Sequence, residues 1–263
     1  MHGNRLPQER DELKRALGSI EVFPQKRGAA TLADVWRIAA PLGGAIKVRG
    51  ARLEDYAAIR ALQRLSQPDV PPWTVKQLES RRNAFPEGQL VAHCDGDVVG
   101  AASSLVVRWN DCALDKTWKS ITADGYFSTH DMLGHTLYGA ETFVDVSRRG
   151  FGAGRALHQA RRKLCRRYNL RRIIATTRLP GYGAVQDRMS PELYAQRVIW
   201  GDIDDPVLRF ELAQGYQSCG VLKDYLPADR ESCGHAALIV WLNPMYAPPR
   251  PPAFETERPR KCA

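Results

Sequence analysis

Thr142-Phe143-Val144-Asp145-Val146-Ser147-Arg148-Arg149-Gly150-Phe151-Gly152-Ala153-Gly154-Arg155-Ala156-Leu157 is the stretch on which the reading of this chain turns. It runs from an apolar strand through a glycine-studded basic turn into an amphipathic helix, with Ala156, Leu157, Ala160 and Leu164 at helical spacing. Glycine at 150, 152 and 154 removes the Cβ from alternate residues of the turn, so backbone N–H groups can close on a ligand. They do so at a helix N-terminus, where unpaired donors and the macrodipole favour an anion. Arg148, Arg149 and Arg155 add positive charge. The stretch reads as a phosphate cradle; the alternative is a glycine turn with no ligand.

The spacing separates this cradle from two common phosphate loops. No Lys-Ser or Lys-Thr follows the glycines, as a Walker loop needs, and the third glycine comes too early for G-x-G-x-x-G. What remains is R-x-x-G-x-G at Arg149, Gly152 and Gly154, preceded by a strand containing Val144. This resembles the pyrophosphate loop of the GCN5-related N-acetyltransferase (GNAT) family, which binds acetyl-coenzyme A. Ala45 to Val48 with Leu53 to Leu65 resemble that family's first strand and helix. Gln89 to Cys94, the Asp95-Gly96 turn and Val98 to Val106 resemble its second and third strands, a hairpin with the expected turn residues. Ile173 to Thr177 fits the fifth strand, and Pro206 to Gly215 the helix leading into the sixth.

One branch of the family is similar in detail: the acetyltransferase-like module often fused ahead of a carbon–nitrogen hydrolase (nitrilase-like) domain. The similar segments include Phe85 to Leu90, Gly125 to Asp131, Leu137 to Glu141, Leu179 to Tyr182, Asp187 to Pro191, Asp224 to Pro227 and Trp241 to Pro244. The resemblance implies an α/β (α+β) GNAT fold: a central mixed sheet of about seven strands, its fourth and fifth strands splayed, flanked by helices. It covers residues 45–246. Residues 1–44 read as an N-terminal helical appendage and 247–263 as a proline-rich basic tail without order. No internal repeat is evident.

Bulk properties agree with one soluble domain. The chain has 263 residues, 25% charged and 44% hydrophobic, enough for a single well-buried core. Its most apolar run, Ala236 to Leu242, is too short to span a bilayer, so no membrane partner is expected. The N-terminus lacks an apolar h-region, and Glu9, Asp11 and Glu12 argue against a transit peptide. Cysteines 94, 112, 165, 219, 233 and 262 form no C-x-x-C pair, which suits a reducing cytoplasm. No His or Cys spacing suggests a metal; His130 and His135 are five apart.

The net charge of +9 is concentrated between Arg148 and Arg172. It can attract an acidic cofactor or nucleic acid, or form a solvated helix face. For Arg161 to Arg172 the solvated face is the favoured reading. Aromatic residues are not interleaved with these arginines, which argues against nucleic acid as a partner.

Acetyl transfer to an amine requires a held thioester, a stabilised carbonyl oxygen and a deprotonated nucleophile. By resemblance, the main chains of Val144 and Val146 hold the pantetheine arm and acetyl carbonyl. Backbone groups of Arg149, Gly150, Gly152, Ala153, Gly154 and Arg155 hold the pyrophosphate. Glu141, three residues before Val144, is the candidate base; its alternative is a strand-end carboxylate paired with an arginine. Many family members carry a tyrosine acid where this chain has Glu211, so protonation of the leaving thiolate must come from elsewhere. Tyr225, Tyr182 and His130 are candidates, with His130 also a possible second base. The segments Arg108 to Asp124, carrying Trp109 and Trp118, and Arg178 to Met189 are long enough to wall an acceptor site. Two activities follow: an acetyl-CoA-dependent N-acetyltransferase acting on a small-molecule or protein amine, or a non-catalytic CoA-binding or docking module that pairs with a carbon–nitrogen hydrolase.

Overall fold

The computed structural model describes residues 44–68, 70–109 and 117–248. The appendage and tail read from the sequence lie outside these residues but for their inner ends, as do Cys112 and Cys262. Seven strands form one sheet: β1 (Lys47–Gly50), β2 (Gln89–Cys94), β3 (Asp97–Val107), β4 (Thr136–Val144), β5 (Arg172–Arg178), β6 (Gln217–Leu222) and β7 (Ala236–Leu242). Their order is β1-β2-β3-β4-β5-β7-β6. Every neighbouring pair is antiparallel except β4 and β5.

Two layers of helix cover the sheet. Helices α1 (Tyr56–Ser66), α2 (Val75–Ala84) and the short α3 (Trp118–Thr122) pack on one face, around Phe143, Tyr138 and Ile174. Helices α4 (Ala153–Arg167), α5 (Pro191–Trp200) and α6 (Pro206–Ala213) pack on the other, around Leu137, Ile173 and Ile239. With both faces covered, β7 is a continuous apolar run, AALIVWL, rather than an alternating one. No helix among the described residues is long and apolar enough to cross a membrane.

Two irregularities in β4 shape the site. Its pairing with β5 runs only from Thr136↔Arg172 to Gly139↔Ala175. Beyond that point both strands continue unpaired with one another, so the sheet forks. The second irregularity is a bulge against β3: Ser103 faces Glu141 and Ser104 faces Gly139, leaving Ala140 as the extra residue. Strict alternation would put Glu141 on the face of Leu137 and Gly139. The extra residue turns it to the face of α2 and α3.

The segment after β5 is tied down by one buried side chain. Asp205 caps α6, its Oδ1 accepting from Val207 N at 3.0 Å and Leu208 N at 2.9 Å. Its Oδ2 accepts from the Tyr194 hydroxyl at 2.8 Å and from Gly181 N at 3.2 Å. Asp205→Ala strips a helix cap and leaves Tyr194 without its acceptor in the interior. The expected cost is about 3 kcal/mol, read as a lower urea midpoint at unchanged slope; a loss below about 0.5 kcal/mol would show that water replaces the carboxylate.

Candidate active site

The fork between β4 and β5 is approached from one end by the glycine turn. After β4 a short 3-10 turn (Val146–Arg148) is capped by Asp145, whose carboxylate accepts from Ser147 N at 2.9 Å. Gly150 and Gly152 follow with φ of +87° and +96°, and no atom of the described residues lies within 4 Å of where a Cβ would stand on either. These are left-handed conformations in open space, which glycine adopts at least cost. Gly152 is the N-cap of α4. Among the described residues, the backbone N–H groups of Gly150, Phe151, Gly152, Ala153 and Gly154 donate to no acceptor. Five consecutive amides at a helix N-terminus, with Arg149 exposed beside them, fit an anionic group such as a pyrophosphate.

Not every glycine in the turn serves that purpose. A Cβ on Gly154 would stand 2.9 Å from the Phe210 ring. This glycine lets α4 and α6 approach, and only its N–H faces the turn. Val146 also departs from expectation. It lies past the end of β4, on the 3-10 turn, and is 48% exposed. Val144 is the last residue of the strand. Asp145 N donates across β3 to Val99 O at 3.0 Å, so Val144 turns its own N–H and C=O to the opposite edge, where β5 has diverged.

On the α2/α3 face, Glu141 is held by both oxygens. Trp73 Nε1 donates to Oε2 at 3.0 Å, and Arg81 forms a hydrogen-bonded ion pair with Oε1. This is the strand-end carboxylate paired with an arginine that the sequence offered as the alternative to a free base. Each oxygen keeps a second lone pair. The Arg81 side chain is 1% exposed. Its guanidinium lies 4.2 Å from the Trp73 ring centroid and 4.6 Å from that of Phe127, and its Nε donates to Gly125 O at 2.6 Å. Burial pulls Arg81 below the usual arginine range, and Glu141 offsets part of that pull. Trp118 stacks on Trp73 with centroids 5.2 Å apart and donates from Nε1 to the carbonyl of the bulged Ala140 at 3.0 Å. Both indoles are thus fastened to the bulge.

Tyr225 reaches the same face from the loop before β7. Its hydroxyl is 2.8 Å from that of Tyr138, on the strand segment still paired with β5. Burial pushes the Tyr225 phenol up to about 12. Tyr182 instead donates to Met189 O at 3.2 Å, within its own loop. His130 is not brought to the fork. It stacks on Phe85 on the opposite face of the sheet, near the start of β4, and its Nδ1 accepts from Val106 N at 3.1 Å. A neutral imidazole bonded this way carries its proton on Nε2 and has no lone pair left to act as a base. Burial also lowers its pKa, against the opposing pull of Asp131 and Glu87.

The solvated-face reading of Arg161 to Arg172 needs correction at two positions. Arg161 is 2% exposed and Arg172 is 5% exposed. Arg161 Nη2 donates to the carbonyls of Glu141 at 2.8 Å and Ser103 at 3.3 Å, bracing the bulge from the α4 side. Gly139 has no side chain because this guanidinium lies against it; a Cβ there would be 3.1 Å from Nη1. Arg172 Nε donates to Thr136 Oγ1 at 3.1 Å, beside the parallel pairing.

Comparison with known proteins gives the family of this chain. The family model described as "Acetyltransferase (GNAT) family" matches residues 56–186. The uncharacterized N-acetyltransferase YkwB of Bacillus subtilis (strain 168) is 31% identical over 206 residues, covering 77% of this chain and 91% of that protein. The chain belongs to the GNAT acetyltransferase family. A second relative, the probable hydrolase YhcX of the same organism, is 35% identical over 201 residues. That match covers 76% of this chain and only 39% of YhcX. Among solved structures, the loading GNATL domain of CurA from Lyngbya majuscula superposes with a TM-score of 0.65 at 19% identity, covering 76% of this chain and 98% of that one. The GphF GNAT-like decarboxylase in complex with isobutyryl-CoA gives 0.63 at 20% identity, covering 75% and 99%. At such identities the two structures speak to the GNAT fold alone.

Proposed function

We propose that this protein is an acetyl-CoA-dependent N-acetyltransferase that transfers the acetyl group to a primary amine by direct attack on the thioester. The observation that carries this reading is the run of five unpaired amides, Gly150 to Gly154, beside the freed edge of β4. The amides and Arg149 to Arg155 hold the pyrophosphate, and the Val144 main chain binds the acyl arm along the edge that β5 has left. Val146, beyond the strand, contributes at the mouth of the turn. When bound, the acyl-CoA supplies an acyl group activated as a thioester.

The chain's own residues do the rest. Trp73, Trp118 and the Arg81–Glu141 pair wall the acceptor side, positioning an amine against the bulge. A free lone pair on Glu141 accepts the amine's proton through water, with Tyr225 and Tyr138 as the adjoining hydroxyl pair. The family's acceptors are small-molecule or protein amines; a cytoplasmic location belongs to this reading.

The hydrolase relative keeps a second reading in view. The matched part of YhcX is less than half of that protein, which favours a docking or CoA-binding module associated with a carbon–nitrogen hydrolase. One experiment separates the two. Acetyl-CoA at saturation is expected to raise the unfolding midpoint by several degrees, and an amine panel should then give turnover that rises with protein concentration. Binding with no turnover across amines, peptides and protein N-termini would favour the docking module. No binding at millimolar acetyl-CoA would remove both.

A further inference from the structure

Among the described residues, four polar side-chain atoms are buried together without a hydrogen-bond partner on the α4/α6 side of the fork: His158 Nδ1 and Nε2, Glu211 Oε2 and Tyr216 Oη. His158 is 1% exposed. Its Nε2 lies 3.3 Å from Glu211 Oε1, close enough for an ion pair but too poorly aligned for a hydrogen bond. Its ring meets the edges of Phe210 and Tyr216, both with centroids 5.5 Å away. Burial pushes the Tyr216 phenol up to about 12, against the pull of nearby Arg161. Each such orphaned atom costs about 1–3 kcal/mol. An apolar residue at 158 would remove two of them, at the loss of the contact with Glu211. Unpaired buried groups clustered together point to a polar occupant or a chemical role.

The position of the cluster suggests which role. Along α4, Gly154 ends the amide cradle, His158 is one turn further, and Arg161 lies against Gly139 at the fork. His158 therefore sits about 6 Å beyond the cradle and about 4.5 Å short of the fork along the helix axis. Leu157, its neighbour, packs on the β2–β3 side with Ala92 and Val99, so His158 is turned towards α6 and the β5 side of the fork. His158 thus lies on α4 between the turn and the fork.

We propose that His158, with Glu211 as its positioning residue, gives a proton to the sulfur that leaves when the acyl group is transferred. This rests on the acyl-CoA reading above. The amine nitrogen forms the new C–N bond, the C–S bond breaks with its electron pair on sulfur, and the sulfur takes a proton from the His158–Glu211 pair. The amine sheds one proton to water and the pair recovers one from water, so amine and thioester become amide and thiol.

The test uses the intact chain and has a readout besides turnover. Imidazole nitrogen-15 signals of His158 should move when CoA is added and stay in place with desulfo-CoA, which fills the cradle but has no sulfur. His158→Gln and Glu211→Gln should bind acetyl-CoA within about twofold of the native protein while kcat falls at least about tenfold and loses its alkaline limb. The fold-changes are those expected of a general acid. Native affinity with unmoved His158 signals, or with kcat within twofold in His158→Gln, overturns this proposal and leaves the acyl-CoA reading standing. No acetyl-CoA binding by the native protein overturns both. The nitrogen-15 arm decides the matter even where a variant does not fold.

Discussion

Gly152→Asp is expected to abolish the thermal stabilisation that acetyl-CoA confers, with affinity falling about a hundredfold or more, equivalent to about 2.7 kcal/mol. The residue sits at φ +96°, with no atom of the described residues within 4 Å of the missing Cβ. An added carboxylate therefore meets no protein atom at its Cβ. It meets whatever the amides of Gly150 to Gly154 hold. If that is a pyrophosphate, a like charge in a cradle of N–H donors removes binding by repulsion. Gly152→Ala is the control: it carries the backbone strain of a left-handed residue, about 1 kcal/mol of stability, without the charge. Acetyl-CoA should still stabilise the alanine variant. Equal loss in both variants would show that backbone strain, rather than an anion, explains the effect, and the cradle assignment would fall with it.

The second large effect is on the fold. Arg81→Met should cost about 3–5 kcal/mol, because it leaves the Glu141 carboxylate buried with Trp73 as its remaining partner. It also empties the position between the Trp73 and Phe127 rings and strands Gly125 O. For a domain of this size the midpoint should drop by about 10 °C or more. Glu141→Gln keeps an acceptor for Trp73 but leaves Arg81 charged and unpaired, and should be comparably costly. The double variant should cost less than the sum of the singles by about 1–3 kcal/mol, measured by denaturant unfolding of all four proteins. Additive losses would mean that the two residues act separately. The amides of Gly150 to Gly154 follow the end of β4 and bond to neither residue, so acetyl-CoA should still bind whichever variant folds.

Much of this fold was legible from local chemistry. Gln89 to Cys94 is the observed β2 to the residue, because Asp95-Gly96 supplies the two positive-φ residues its turn needs, at 52° and 93°. Ser190 caps α5 and Pro191 opens it, as the dipeptide implies. Helix α2 went unread because VKQLESRRNA has no apolar stripe: a core position on it is taken by Arg81. The signal that could have found it was the capping box, with Thr74 Oγ1 accepting from Gln77 N and Gln77 Oε1 accepting from Thr74 N.

The site was legible in its backbone and less so in its side chains. Spacing alone marked the glycine turn, and the structure places there the left-handed Gly150 and Gly152 and the start of α4. The bulge at Ala140 left no trace, because Gly139 and Ala140 are too small to show which face each takes. Buried arginines misread for a related reason. Arg161 has the same letter as its exposed neighbours, and only the carbonyls of Ser103 and Glu141, distant in the chain, distinguish it.

The contact between Gly154 and Phe210 carries a consequence for how this sequence can drift. If the turn holds acyl-CoA as proposed, positions 150 and 152 answer to that ligand, since no atom among the described residues stands within 4 Å of a Cβ at either. Position 154 answers to an aromatic ring on another helix. A side chain can enter at 154 only if the ring at 210 shrinks or swings away, so across descendants of this chain the two sites should change as a pair, while their glycine neighbours stay put or are lost together with activity.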